Sequence, residues 1–299
     1  MGIVLKWPSQ TAKGIEAIEV YRLAGQAAVL NRNTLPAPLV TLGPDATRYE
    51  DTSVAKNTVY SYWVASVKNG ERVFGSRLIE AYYLDVGPGP TDIKFGTWWE
   101  GYFGPVEVSE LLTHLEINGQ LGITAAQYTP ARYHKFMFRG RILFIPETRT
   151  ASMTYNQQYN SGLVFGTDDS GAVPTGSASR NQRRTVQKNG REFVIRFPYN
   201  AAYTIKQASG LNAANYLADG EWLNTMIRLL LINNGGEKWG DIALADTAAS
   251  LNGLGSTMFA QQYGVSVCYF VYGTAPQNVS TLNVSSAASI FHVLELVIP

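Results

Sequence analysis

The chain has one cysteine among its 299 residues, Cys268. A single thiol excludes an intramolecular disulfide and any zinc site built from cysteine. Cys268 lies in the apolar run VSVCYFVY, where a buried thiol is expected rather than a nucleophile. Charge is scarce too: 16% of residues are Asp, Glu, Lys or Arg, against about 25% in a typical soluble domain. The 24 basic and 23 acidic residues leave a net charge of +1, so no field draws a polyanion and no nucleic-acid partner is implied. The three histidines, His114, His134 and His292, have no second His or Cys at metal-ligand spacing. No apolar run reaches the ~18 residues of a membrane helix, and MGIVLKWPSQ has no basic segment followed by an apolar one, so neither membrane insertion nor a signal peptide is expected. A Gly-x-Ser-x-Gly elbow and a phosphate-binding loop are also missing. The reading is therefore no catalytic residue, no metal and no cofactor.

Hydrophobic residues make up 45% of the chain, enough to build cores in about two domains. A surface poor in charge suits contact within large assemblies, because little charge must be desolvated. Up to residue 86 the chain reads as short strands: Ile3–Trp7, Ile18–Arg22, Leu39–Leu42, Thr47–Asp51, Val59–Val67 and Arg72–Tyr83. Asn69-Gly70 supplies a hairpin turn, since both residues tolerate positive φ. Strands at this spacing, without a helical period, predict a β-sandwich. Two Gly-Pro pairs at 87–90 mark a linker, because proline blocks both helix and central strand.

The residues LKW, IEVYR and YEDTSVAKNTVYSYWV resemble a fibronectin type III domain. The resemblance implies that Trp7 fills the core and that Tyr60 closes a corner between sheets. Lys56-Asn57 stands where the family has Pro-Gly, and the family's first strand is missing. An unpaired edge of that kind would need covering by a neighbouring subunit.

Beyond the linker, 91–134 is expected to be a connecting aromatic segment and 135–299 a second domain. Trp98-Trp99 and Tyr102-Phe103 cluster around Gly101 and Gly104. Such rings suit either a buried hinge or a stacking platform for a sugar. Val108–Thr113 reads as a short helix with Ser109 as N-cap. Lys135–Pro146 is a hairpin turning at Arg139-Gly140, and Val186–Pro198 a second one turning at Asn189-Gly190. Tyr155–Asn160 starts a short helix, and 166–179 is a loop whose Asp168 and Asp169 serve turn chemistry rather than calcium. Arg180, Arg183, Arg184 and Lys188 read as a solvated basic loop. Glu221–Ile232 has helical spacing and is expected to be the main helix, stopped by Asn233–Gly236. Ile290–Ile298 is so apolar that it must be a buried strand.

The stretches WWEGYFGPVEVSELLT, KFMFRGRILFIP, SGLVFGTDDSGAVPTG, NGREFVIRFP, EWLNTMIRLL and FHVLELV resemble a region recurring in bacteriophage virion and tail-fibre-like proteins. That region is similar to a C-type-lectin-like, formylglycine-generating-enzyme-like fold; the cysteine pair behind that enzyme's activity is absent here. The implied fold class is mainly β with some α: an Ig-like (fibronectin type III) β-sandwich, then an α+β C-type-lectin-like domain. The implied role is a structural component of the virion, made in the bacterial cytoplasm, whose partners are other virion proteins and copies of itself. The alternative is an adhesin gripping a host surface glycan through Trp98, Trp99, Tyr102 and Trp239. A glycan-cleaving enzyme would need two carboxylates across a cleft, and the proximity of Glu107 and Glu110 in sequence does not supply that geometry.

Overall fold

The structure is a computed structural model that describes residues 2–200, 220–229, 238–240, 257–272 and 275–298. It is mainly β, and it divides into two compact units: Met1–Val86 with Thr97–Trp99, and Gly87–Gly96 with Glu100–Pro299. Gly87–Gly96 belongs to the second unit, so the segment read as a linker is built into a domain.

In the first unit, β1 (Ile3–Lys6) pairs among the described residues with β4 (Arg48–Asp51) alone. The larger sheet runs β3 (Val40–Leu42), β2 (Ala17–Ala24), β5 (Thr58–Lys68), β6 (Glu71–Phe74), with β7 (Leu78–Tyr82) also pairing β5. All pairings are antiparallel. The period of two along β5 sends Tyr60 and Tyr62 into one core with Ile3, Leu5 and Val20, and Trp63 and Ala65 into another with Tyr21 and Leu30. Asn69 and Gly70 take φ 51° and 79°, the left-handed pair of a tight hairpin. The Tyr60 hydroxyl accepts the Ala55 N–H at 2.9 Å and so ties the turn before β5 to the strand itself.

Buried Asp51 ends β4. It accepts from the Arg22 guanidinium at 2.7 Å, the Tyr62 hydroxyl at 2.8 Å and the Ser53 hydroxyl at 2.8 Å. Burial alone would raise its pKa; the hydrogen bonds from Ser53, Tyr62 and Arg22 outweigh that and hold it below the usual carboxylate range.

The second unit is organised around a seven-stranded antiparallel sheet. Its order is β13 (Arg184–Lys188), β14 (Arg191–Arg196), β19 (Val293–Leu296), β11 (Arg141–Pro146), β10 (Arg132–Phe138), β9 (Glu100–Glu107), β8 (Phe95–Gly96). The apolar carboxy-terminal strand thus sits near the middle of the sheet. The segment expected to connect domains supplies β8 and β9 instead. The hairpins turn at Arg139-Gly140 (φ 51° and 81°) and Asn189-Gly190 (φ 50° and 76°). A pair, β12 (Ala151–Thr154) with β18 (Ala287–Ile290), and a triplet, β15 (Thr257–Gln262), β16 (Val267–Tyr272), β17 (Ala275–Asn283), complete the strands.

Helix α1 starts later than the sequence suggests. Val108–Glu110 is a single 3-10 turn, ended by fully buried Leu111. The N-cap is Thr113, not Ser109, and α1 is His114–Leu121. Thr113 and Glu116 form a reciprocal capping box, which the spacing T-x-x-E encodes. Of the basic residues 180–188, Arg180 and Arg183 are exposed in the loop as expected, whereas Arg184 and Lys188 are half-buried at the two ends of β13. Arg184 donates to the Leu121 carbonyl at 2.7 Å, satisfying the end of α1, and Lys188 pairs with Glu116 at 2.5 Å. Lys188 and Thr113 together draw the Glu116 carboxyl down to about 2. The Gln120 side chain accepts from the Gln187 N–H at 2.7 Å and donates to the Gln187 carbonyl at 2.9 Å, covering the outer edge of β13 as another strand would.

The long helix expected at Glu221–Ile232 is two short pieces. Helix α2 is Tyr155–Ser161; α3 (Glu221–Asn224) and α4 (Met226–Leu229) are separated by Thr225. The Thr225 hydroxyl bonds back to the Glu221 carbonyl at 2.6 Å, and its backbone leaves the helical region at φ −122°, ψ −89°. Nearly every side chain from Glu221 to Leu229 is buried, so the apolar spacing marks burial all round rather than one amphipathic stripe. Leu230–Ile232 and the stop at Asn233–Gly236 lie outside the described residues.

Candidate functional site

The four aromatic residues proposed for a sugar platform fall into different units. Trp98 and Trp99 belong to the first, where half-buried Trp98 stacks on Tyr83 with ring centroids 5.8 Å apart. Tyr102 and Trp239 belong to the second, where both are core residues, 0% and 5% exposed. They stack on each other at 6.3 Å, and Trp239 also packs on Phe136 at 6.1 Å. The faces a sugar would need are already covered by other rings, so Tyr102 and Trp239 are removed as surface contacts. Although Trp239 is flanked by glycines, burial is the stronger expectation for a tryptophan, and packing against β9 and β10 buries it.

The second unit buries much more ionisable chemistry than its sequence suggests. Glu295 on β19 lies opposite Val194 of β14 and Leu143 of β11. Arg196 and Arg141 are two residues along those strands, so the period of two puts all three charges on one sheet face. Glu221, the first residue of α3, completes the group. Arg196 donates to both Glu221 oxygens at 2.9 Å and from Nε to Glu295 at 2.8 Å, and its guanidinium lies 4.0 Å above the Tyr199 ring. Arg141 adds contacts of 3.1 Å to Glu221 and 3.4 Å to Glu295. Two cations meet two carboxylates, and the net charge is zero. Burial would lower the Arg196 pKa, but Glu221 and Glu295 beside it outweigh burial and keep it cationic. One signal in the sequence pointed to this group: Glu295 is the lone charge in FHVLELVIP.

Fully buried Lys135 on β10 anchors Gly87–Pro90. Its ammonium donates to the carbonyls of Pro88 at 3.0 Å and Pro90 at 2.6 Å, and sits 4.7 Å above the Phe103 ring. Proline has no N–H but keeps its carbonyl, so a Gly-Pro run offers acceptors to a buried cation. At Gly87 (φ 81°) an added Cβ would come within 2.9 Å of the Phe144 ring, so only glycine lets this segment approach the sheet.

His292 precedes β19 and is buried. The Gln158 amide nitrogen donates to the Ala125 carbonyl at 2.8 Å, which turns its oxygen toward His292 Nε2 at 2.9 Å. The proton is therefore assigned to Nε2, and Nδ1 accepts from the Thr150 hydroxyl at 2.8 Å. Both ring nitrogens are engaged by a neutral imidazole, and burial lowers its pKa to about 3.

Cys268 is buried, and burial pushes its thiol up to about 12. It is expected not to react with Ellman's reagent in native protein at pH 8, and to yield one thiol per chain in denaturant. Prompt labelling of the native protein would contradict this burial. Among the described residues, no group of three or more His, Cys, Asp or Glu is placed to hold a metal ion. Glu107 and Glu110 are both exposed, at the end of β9 and in the following turn. No helix among the described residues is long and apolar enough to cross a membrane.

The concave surface of the first unit runs beside β1. Two hollows, of about 520 and 430 Å³, follow one another there. The first is bounded by Val4, Leu5 and Lys6 of β1 and by Leu78 and Glu80 of β7. The second is bounded by Trp7 and Pro8, just past β1, and by Val73 and Phe74 of β6, with Ile18 and Val64 behind. The two hollows, one beside β1 and one just past its end, share no bounding residue; the pair is called the slot. No protein family, curated protein or solved structure compared with this chain matches it.

Proposed function

We propose that this protein works by contact rather than by chemistry, as a structural component of a bacteriophage virion that assembles with other virion proteins. The observation carrying the contact reading is the open slot beside β1, a concavity of mixed apolar and charged lining bordered by a strand edge that no strand among the described residues pairs. The low charge of the chain agrees with a surface meant to be covered. The virion setting rests on the sequence resemblance.

Within the same reading, the first unit is a fibronectin type III-like sandwich. The two-stranded β1–β4 layer, the four- to five-stranded layer facing it and the Tyr60–Ala55 corner support that. The second unit is read as C-type-lectin-like on its sequence motifs.

The test is to purify particles by density gradient from a phage-producing culture that expresses the chain and to quantify it by mass spectrometry. The expected result is the chain in infectious particles at a fixed ratio to the major capsid protein. A chain recovered only from the particle-free fraction would overturn the proposal.

A further inference from the structure

Among the described residues β1 makes one ladder, with β4. Trp7, just past its end, donates its N–H to the Thr47 carbonyl at 3.0 Å. Antiparallel pairing alternates, so Leu5 and Ile3 also turn their backbone groups toward β4, while Val4 and Lys6 turn theirs to the opposite edge. Among the described residues no strand pairs that edge. Beside it lies the slot, with Ile18 and Val64 at its back and two exposed apolar side chains at its rim, Val4 at 39% and Val73 at 74% exposure. Residues 4 to 8 span about 14 Å in extended form, the length of a strand of about five residues.

Charge narrows the occupant further. The hollows are lined by Lys6, Lys13, Lys68 and Arg48, the last already paired with Glu50 at 3.2 Å, and the one carboxyl in their lining is Glu80. Burial lifts Glu80 to about 7, so near neutral pH it offsets only part of that positive charge.

We propose that the slot receives an extended segment of another polypeptide, apolar on one face and carrying carboxylates, which hydrogen-bonds to Val4 and Lys6 and adds a third strand to the β1–β4 sheet. The inference rests on the contact reading and names the partner's chemistry. Main-chain hydrogen bonds would supply affinity, and alternate side chains entering the slot would supply selectivity.

The probe is a synthetic acetylated peptide of about eight residues in which valine alternates with threonine and glutamate. Its controls are a peptide with lysine in place of glutamate and one N-methylated at alternate residues, which removes the pairing donors. Binding is followed by Trp fluorescence and by amide exchange at Val4 and Lys6 in the full chain. The glutamate peptide is expected to saturate, to slow exchange at both amides, and to bind at least about tenfold more tightly than either control.

Val73→Asp places a negative charge at an exposed rim position without touching the core, and is expected to weaken the glutamate peptide by about tenfold. Three results would overturn the proposal: no saturation by about 1 mM peptide, equal binding of the N-methylated peptide, or a self-associated protein that the peptide does not dissociate. Incorporation into particles is read separately, so an empty slot in a virion protein is distinguishable from a protein that is not in the virion.

Discussion

Glu221→Ala is expected to destabilise the second unit by about 3–5 kcal/mol, the cost of taking one of two carboxylates from a buried group of two cations. Arg196 is 1% exposed and loses both hydrogen bonds of a bidentate pair, while Arg141 loses one contact. The four-charge group then carries one excess positive charge in the interior. Removing Arg196 as well restores the balance. The double variant Arg196→Met with Glu221→Leu leaves Arg141 facing Glu295, and is expected to recover most of the loss, because two apolar side chains can replace a buried pair at little cost. Urea denaturation of the single and double variants reads both values. A single variant within about 1 kcal/mol of wild type would mean that the group is not buried as described.

The second large effect is one of pH. His292 is neutral in the folded chain, with a pKa near 3, whereas an unfolded histidine titrates near 6.5. Below pH 6.5 the unfolded state binds a proton that the native state refuses. The stability this group contributes is therefore complete above pH 6.5 and is lost as pH falls, by about 1.4 kcal/mol per pH unit, down to the folded pKa. In His292→Gln the amide keeps one donor and one acceptor but has no proton to gain. The variant is expected to be less stable at pH 7.5, by about 1–3 kcal/mol for the lost hydrogen bonds. By pH 4.5 the gap should shrink or reverse, since the wild type alone has then lost about 2–3 kcal/mol. Urea midpoints at the two pH values measure this, and parallel curves for both proteins would contradict a buried neutral imidazole.

The two predictions concern groups of different legibility. His292 could be read from sequence only as a histidine without metal spacing, because its partners Thr150 and Gln158 are more than 130 positions away in the chain. The charged group is equally dispersed, with Arg141, Arg196, Glu221 and Glu295 joined only when β14, β19 and β11 come side by side. Turns were the opposite case. Asn69-Gly70, Arg139-Gly140 and Asn189-Gly190 each take positive φ at both residues, a property of the residues themselves. Helices fell between. The T-x-x-E spacing at Thr113 encodes the capping box that Ser109 lacks, and the spacing from Glu221 looks helical because a segment buried all round, as Glu221–Leu229 nearly is, also repeats apolar residues.

What the sequence determined alone was the local geometry: where strands alternate, where the chain must turn, and that the apolar carboxy-terminal run had to be buried. These follow from interactions within a few residues and from hydrophobic burial, which need no knowledge of partners. Only the tertiary structure decided that Gly87–Pro90 is held by Lys135, that Tyr102 and Trp239 cover each other, and that β1 keeps one edge open beside a slot. Each depends on which distant strands become neighbours. That choice rests on the packing of whole faces, and no short window of sequence contains it.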